Sequence, residues 1–165
     1  MAWEALYHAH RERLRRVAFV ILRDAEAASD VTQTVFEKAF RHQEGLPEEQ
    51  GVLQAWLTRV TCNEAITAAR RRRALRWVPF SGSEAAQSRG LGTTDRIVVE
   101  DALARLNPNH RAVIALHYLQ GYGVDEVAAI LRIPRGTVAS RLHHARMVLR
   151  RLLLPIEPKG MRRSS

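Results

Sequence analysis

Two small all-α domains joined by a flexible linker are the fold that this sequence predicts. They are a three-helix N-terminal bundle over residues 1–75 and a four-helix C-terminal domain with a helix-turn-helix over 95–154. Two observations predict it. Apolar residues recur at spacings of three and four on both sides of the chain's middle, the period of a helix with one packed face. Between them, Trp77 to Thr94 carries Pro79, Gly82, Gly90, Gly92 and three serines with no period, which is turn and linker chemistry.

Each element follows in order. Trp3, Leu6, Tyr7, His10, Leu14, Val17, Ala18 and Ile21 form one stripe, so the first helix occupies the start of the chain. Asp24 can cap a second helix running to about Arg41, because its carboxylate can accept free amide hydrogens of the first turn. Gly45 and Pro47 break that pattern, and a third helix is expected from about Val52 to Leu75, with Leu53, Trp56, Leu57 and Val60 on one side. Three helices on short connections make a small bundle. After a linker at 76–94, helices are expected at about Asp95–Leu106, His110–Leu119, Val124–Leu131 and Pro134–Leu154. Pro134 suits a helix's first turn. The basic, proline-interrupted stretch 155–165 is expected to be a disordered tail.

Charge is uneven along this frame. The net charge is +9 and the isoelectric point about 11.0, which points to an anionic partner. Residues 1–75 carry 12 basic and 10 acidic side chains, whereas 96–165 carry 12 basic and 5 acidic, so the strongest anion contact belongs in the C-terminal third. Cys62 is the sole cysteine, which excludes an intrachain disulfide and a multi-cysteine zinc site. The seven histidines show no HExxH spacing, and no apolar run approaches the ~20 residues of a membrane span. There is no carboxylate cluster, phosphate-binding glycine loop or nucleophile elbow. No catalytic residue, metal, cofactor, small-molecule substrate or membrane insertion is therefore expected, and the setting expected is the reducing cytoplasm.

The most specific signal lies between Val124 and Arg146. Val124, Val127 and Leu131 make the inner face of a short helix, Ala128 is small where a second helix must cross, and Ile133 fills the corner. Val138, Leu142, Ala145 and Leu149 then stripe the following helix. Opposite that stripe lie Thr137, Ser140, Arg141 and His144, with Arg135 at the helix start. A helix packed on one side and bearing short donors plus an arginine on the other can enter a major groove. An ordinary solvated face is the alternative, and the local charge favours DNA.

These residues carry a resemblance. Leu103-Ala-Arg-Leu-Asn-Pro-Asn-His-Arg-Ala-Val-Ile-Ala-Leu, Asp125-Glu-Val-Ala, Gly136-Thr-Val-Ala-Ser-Arg-Leu and Ala145-Arg resemble the C-terminal domain of extracytoplasmic-function (ECF) sigma factors. The resemblance implies that this helix-turn-helix reads the minus-thirty-five promoter element. Asn107-Pro108 stands where Leu-Pro is usual, and Arg132 replaces a common turn glycine.

The first half extends it. Asp30, Gln33, Thr34, Glu37 and Arg41 share a polar face of the second helix, opposite Val35, Phe36 and Ala39. The segment from Ala28 to Phe40 is similar to the family's polymerase-binding helix, which docks on a clamp coiled coil, with Ser29 and Thr34 replacing two usual acidic residues. Trp56-Leu-Thr-Arg-Val-Thr-Cys-Asn followed by Arg70, Arg71, Arg72 and Arg73 resembles the minus-ten reader. Asn63 matches an asparagine near a pocket for an unstacked base, whose extrusion costs a few kcal/mol. Thr67 replaces a common aspartate, and His42–Val52 occupies the specificity loop's place. The four arginines suit phosphate neutralisation, or else a solvated helix end.

The resemblance spans about residues 3–153. It implies a factor that binds RNA polymerase core, through its beta and beta-prime subunits, and directs it to promoter DNA, with an anti-sigma protein as a further partner. By the same resemblance Trp77-Val-Pro-Phe80 could touch polymerase, though a passive tether serves equally. A helix-turn-helix regulator that never joins polymerase is the competing function, and a small nuclease is the other.

Overall fold

Residues 3–75 and 94–153 are described by the computed structural model, and every regular element among them is helical. Helix α1 (Trp3–Leu22) buries Leu6, His10, Leu14, Val17, Ala18 and Ile21, the expected stripe, with Trp3 and Tyr7 half-buried at its edge. Burying one such large apolar side chain stabilises the fold by roughly 1.5–3 kcal/mol. The helix stops at Arg23, whose φ of 57° is left-handed. Its amide donates to the Phe19 carbonyl at 2.6 Å, closing the helix end.

Helix α2 (Ala25–Arg41) starts as expected, with the Asp24 carboxylate accepting from the Ala27 amide at 2.8 Å. That hydrogen bond, then Arg72, holds the Asp24 carboxyl below its usual pKa. A short 3-10 turn at Gln43–Gly45 and buried Leu46 lead to α3 (Gln50–Leu75). Helix α3 begins two residues earlier than the pattern implied, and α1, α2 and α3 pack on one another.

In the second half, α4 (Thr94–Ala104) and α5 (Pro108–Ile114) precede a π-helical turn at Ala115–Leu119, then α6 (Val124–Leu131) and α7 (Arg135–Leu153). The Asn107 side chain accepts from the His110 amide at 3.0 Å. The Asn-Pro pair is thus a cap followed by proline in the first turn, a favourable helix start. Pro134 lies just outside α7, where its carbonyl receives the amides of Thr137 and Val138. Helix α7 packs on α4, α5 and α6. The expected linker at 76–94, Thr94 apart, and the expected tail at 155–165 fall outside the described residues.

One feature of the packing was not foreseen. Helices α1 and α3 also contact α5, α3 contacts α6, and α1 contacts the π turn. Leu14, Leu57 and Cys62 therefore belong to one apolar cluster with Val113, Leu116, Val127 and Val138. The two halves share a core.

Candidate functional site

The helix-turn-helix is built from the inside out. Val127 and Ile130 of α6 and Val138, Leu142 and Ala145 of α7 are buried, whereas Val124 and Leu131 are only half-buried. Ile130 thus takes an inner place that the sequence reading had given to Leu131. The α6 start is tied by the Gly123 amide donating to Glu126 Oε2 at 2.7 Å. Its end is a Schellman turn: Arg132 sits at φ 54°, and the Ile133 amide donates to the Ala128 carbonyl at 3.1 Å. Arginine therefore occupies the left-handed position where glycine is unstrained.

On the opposite side of α7, Arg135, Ser140 and His144 are exposed, and Thr137 and Arg141 are half-buried. Not all are free. Arg135 Nε donates to Asp125 Oδ1 at 2.6 Å, and the His144 ring lies 4.7 Å from that of His110. Burial, then His144 and Arg141, depress the His110 pKa.

The polar face of α2 exposes Asp30, Gln33, Glu37 and Arg41, while Thr34 is half-buried and donates to the Asp30 carbonyl at 3.0 Å. Gln33 Nε2 donates to Glu37 Oε1 at 3.0 Å. Beside this face runs a groove lined by Trp3, Tyr7, Phe36 and Phe40 together with Gln33 and Glu37. Phe40 is 51% exposed and edge-on to Trp3, with ring centroids 5.2 Å apart. The sequence reading missed this aromatic lining. The i, i+4 pairs Trp3/Tyr7 and Phe36/Phe40 were the signal that could have found it.

Along α3, Asn63 is exposed, as are Arg70, Arg71, Arg72 and Arg73. Arg72 nevertheless pairs with Asp24 at 2.9 Å, so it staples α3's end to α2's cap. Glu64, next to Asn63, pairs with Lys38. Cys62 is fully buried, and that burial pushes its thiol up to about 12. Asn63 and the α7 face stand on different helices, and the structure does not bring them into one site. No group of three or more possible metal ligands occurs among the described residues, and no described helix is long and apolar enough to cross a membrane.

Comparison with known proteins matches this layout. Residues 6–75 match the family described as Sigma-70 region 2, and residues 96–149 match Sigma-70, region 4. The chain is 35% identical over 164 residues to the ECF RNA polymerase sigma factor SigL of Mycobacterium tuberculosis, covering 96% of this chain and 91% of that protein. It is 31% identical over 152 residues to SigM of the same species, covering 92% of this chain and 77% of SigM. Among solved structures it resembles the sigma factor RpoE in complex with the anti-sigma factor NepR from Bartonella quintana. That match has a TM-score of 0.72 at 27% identity, over 91% of this chain and 95% of the other. CnrH in complex with the cytosolic domain of CnrY is similar at a TM-score of 0.67 and 25% identity, over 92% and 87%.

A region 2 followed by a region 4 defines the class of sigma-type transcription initiation factors. Within that class, this chain belongs to the ECF RNA polymerase sigma factors, which direct transcription initiation with RNA polymerase.

Proposed function

We propose that three surfaces divide the work of promoter-specific initiation. The α2 face of Asp30, Gln33, Thr34, Glu37 and Arg41 docks on polymerase core. Asn63 and the arginines at 70, 71 and 73 engage the minus-ten element as its strands open, with Arg72 positioning the helix end through Asp24. Arg135, Thr137, Ser140, Arg141 and His144 read the minus-thirty-five element. The observation that carries this reading is α7 itself, a helix packed along Val138, Leu142 and Ala145 whose other side presents an arginine among short donors. No residue of this chain is assigned a catalytic role; phosphodiester chemistry belongs to the polymerase. The solved relatives RpoE and CnrH are held by protein partners, which supports an anti-sigma partner for this chain too. A cytoplasmic setting follows from work on promoter DNA.

The test is runoff transcription over fragmented genomic DNA with purified core polymerase from the same organism, followed by RNA sequencing. Transcripts that start downstream of one shared pair of elements, and only when the chain is added, are the expected result. A chain that binds DNA but yields no new start sites would instead be a regulator that never joins polymerase.

A further inference from the structure

Two imidazoles meet at the edge of the α7 face. The ring of His144, exposed in the third turn of α7, lies 4.7 Å from that of half-buried His110 on α5, with 55° between the planes. The backbone of His110 is pinned in the first turn of α5, where its amide donates to the Asn107 cap at 3.0 Å. Its Nδ1 is buried and has no hydrogen-bond partner among the described residues. A doubly protonated ring would bury an N–H there with nothing to receive it. Burial, then His144 and Arg141, lower the His110 pKa, which favours the neutral form in the same sense. The pair thus joins a fixed ring that resists protonation to an exposed ring that can take a proton.

The charges around the pair offer a protonated His144 little support. Both groups that act on His110, namely His144 and Arg141, are basic. On α7 itself, His143 is exposed and Arg146 donates to the Tyr118 hydroxyl. Arg111 of α5 lies near Arg23, and Arg105, just past α4, is exposed. The carboxylates of the packed helices have other partners: Glu100 and Asp101 of α4 act on Arg23, Asp125 of α6 pairs with Arg135, and Glu126 receives the Gly123 amide. DNA phosphate is the countercharge that a promoter would bring to this face.

The place of His144 on its helix favours phosphate over bases. In a helix-turn-helix the N-terminal residues of the reading helix contact base edges, and on α7 those are Thr137, Ser140 and Arg141. His144 stands about 14 Å from the start of α7, beyond that stretch and toward the DNA backbone. An imidazole changes charge between about pH 5 and 8, and a phosphate oxygen in contact favours its charged form. The His110 ring lies within the ~6 Å at which an aromatic face attracts a cation.

We propose that His110 is a positioning residue for promoter reading. Its ring is the platform on which His144, as an imidazolium, donates to a phosphate of the minus-thirty-five element, so that binding takes up one proton. The proton comes from solvent and returns to it when the DNA leaves. This rests on the reading of α7 as the minus-thirty-five helix. Affinity for the upstream element therefore rises as pH falls through the imidazole range, while the base contacts of Thr137, Ser140 and Arg141 keep their preferences.

The test uses the full chain assembled with core polymerase, on the promoter duplex returned by the runoff experiment and on the same duplex with its upstream element scrambled. Fluorescence anisotropy reads affinity at about pH 6.5 and about pH 8.0, inside the range where imidazole changes charge. Each value is taken as a ratio to that of His144→Gln, so that titration elsewhere in the assembly cancels. The parent's ratio should rise about threefold or more at the lower pH. Its log–log salt slope should steepen there by up to about 0.9, one phosphate contact. His144→Arg, a permanent cation, should bind tightly with a flat ratio. His110→Phe should keep the parent's rise and His110→Leu should lose most of it, with circular dichroism unchanged in both. A parent ratio equal at the two pH values overturns the proposal and leaves the α7 reading in place, as does a His110→Leu variant that keeps the full rise. A scrambled element bound as well as the intact one, or a runoff that returns no promoter, overturns the α7 reading and this proposal with it.

Discussion

Arg141 and Asn63 carry the sharpest claims at the scale of single residues. Arg141 is half-buried on α7 and lies near His110. Arg141→Ala should flatten discrimination at one upstream base pair by about 1–3 kcal/mol while core binding is unchanged. Identical ratios across a panel of upstream-element mutants would remove it from the reading face. Asn63 is exposed, and its proposed role in strand opening can be tested. Asn63→Ala should reduce transcription from duplex promoters more than from a template with a preformed bubble; equal losses would argue against a role in base extrusion. Two other residues set an acid limit. His10 is depressed by burial and then by Arg13, and His110 by burial and then by His144 and Arg141. Their unfolded forms take up protons first, so stability is complete above about pH 6.5 and declines as pH falls below it. The melting temperature should drop between pH 7.5 and 5.5, and His10→Gln should lessen the drop. A melting temperature that rises on acidification would contradict this.

Helix ends and faces show what was legible at the scale of elements. The cap at Asp24, the stripe of α1 and the turn after α6 could be read because each depends on neighbours in the sequence. The wider burial of α3 could not. Its apolar and small residues serve two surfaces, so Thr58, Thr61 and Cys62 are buried although they lie off the stripe of Leu53, Trp56, Leu57 and Val60. Likewise Phe40, outside the inward set of Val35, Phe36 and Ala39, stays half exposed in the groove. The turn glycine replaced by Arg132 was legible, and the structure shows its consequence in the left-handed φ of 54°. A non-glycine residue there costs roughly 1–2 kcal/mol, part of which glycine returns as unfolded-state freedom. Arg132→Gly should therefore stabilise by up to about 1 kcal/mol, or about 2–4 °C in melting temperature. A lower melting point would mean that the Arg132 side chain contributes more than its backbone loses.

The proposed reading gives the whole molecule a polymerase-facing helix, a strand-opening helix and a groove-reading helix, in an order readable from periodicity and motif. Their mutual packing was not, because Arg13 and Tyr122 are 109 positions apart and nothing local marks them as neighbours. The central claim is that α2 joins this chain to polymerase. Asp30 and Gln33 are exposed, so Asp30→Ala/Gln33→Ala should change stability by only about 0.5 kcal/mol. Loss of central polar anchors at an interface costs about 2 kcal/mol or more, near thirtyfold in affinity. The deciding measurement is core-polymerase affinity by fluorescence anisotropy for parent and double variant, with circular dichroism and runoff transcription on the same preparations. The account predicts a folded variant that binds core at least about thirtyfold more weakly and regains transcription at high concentration. A folded variant that binds core as tightly as the parent would contradict it.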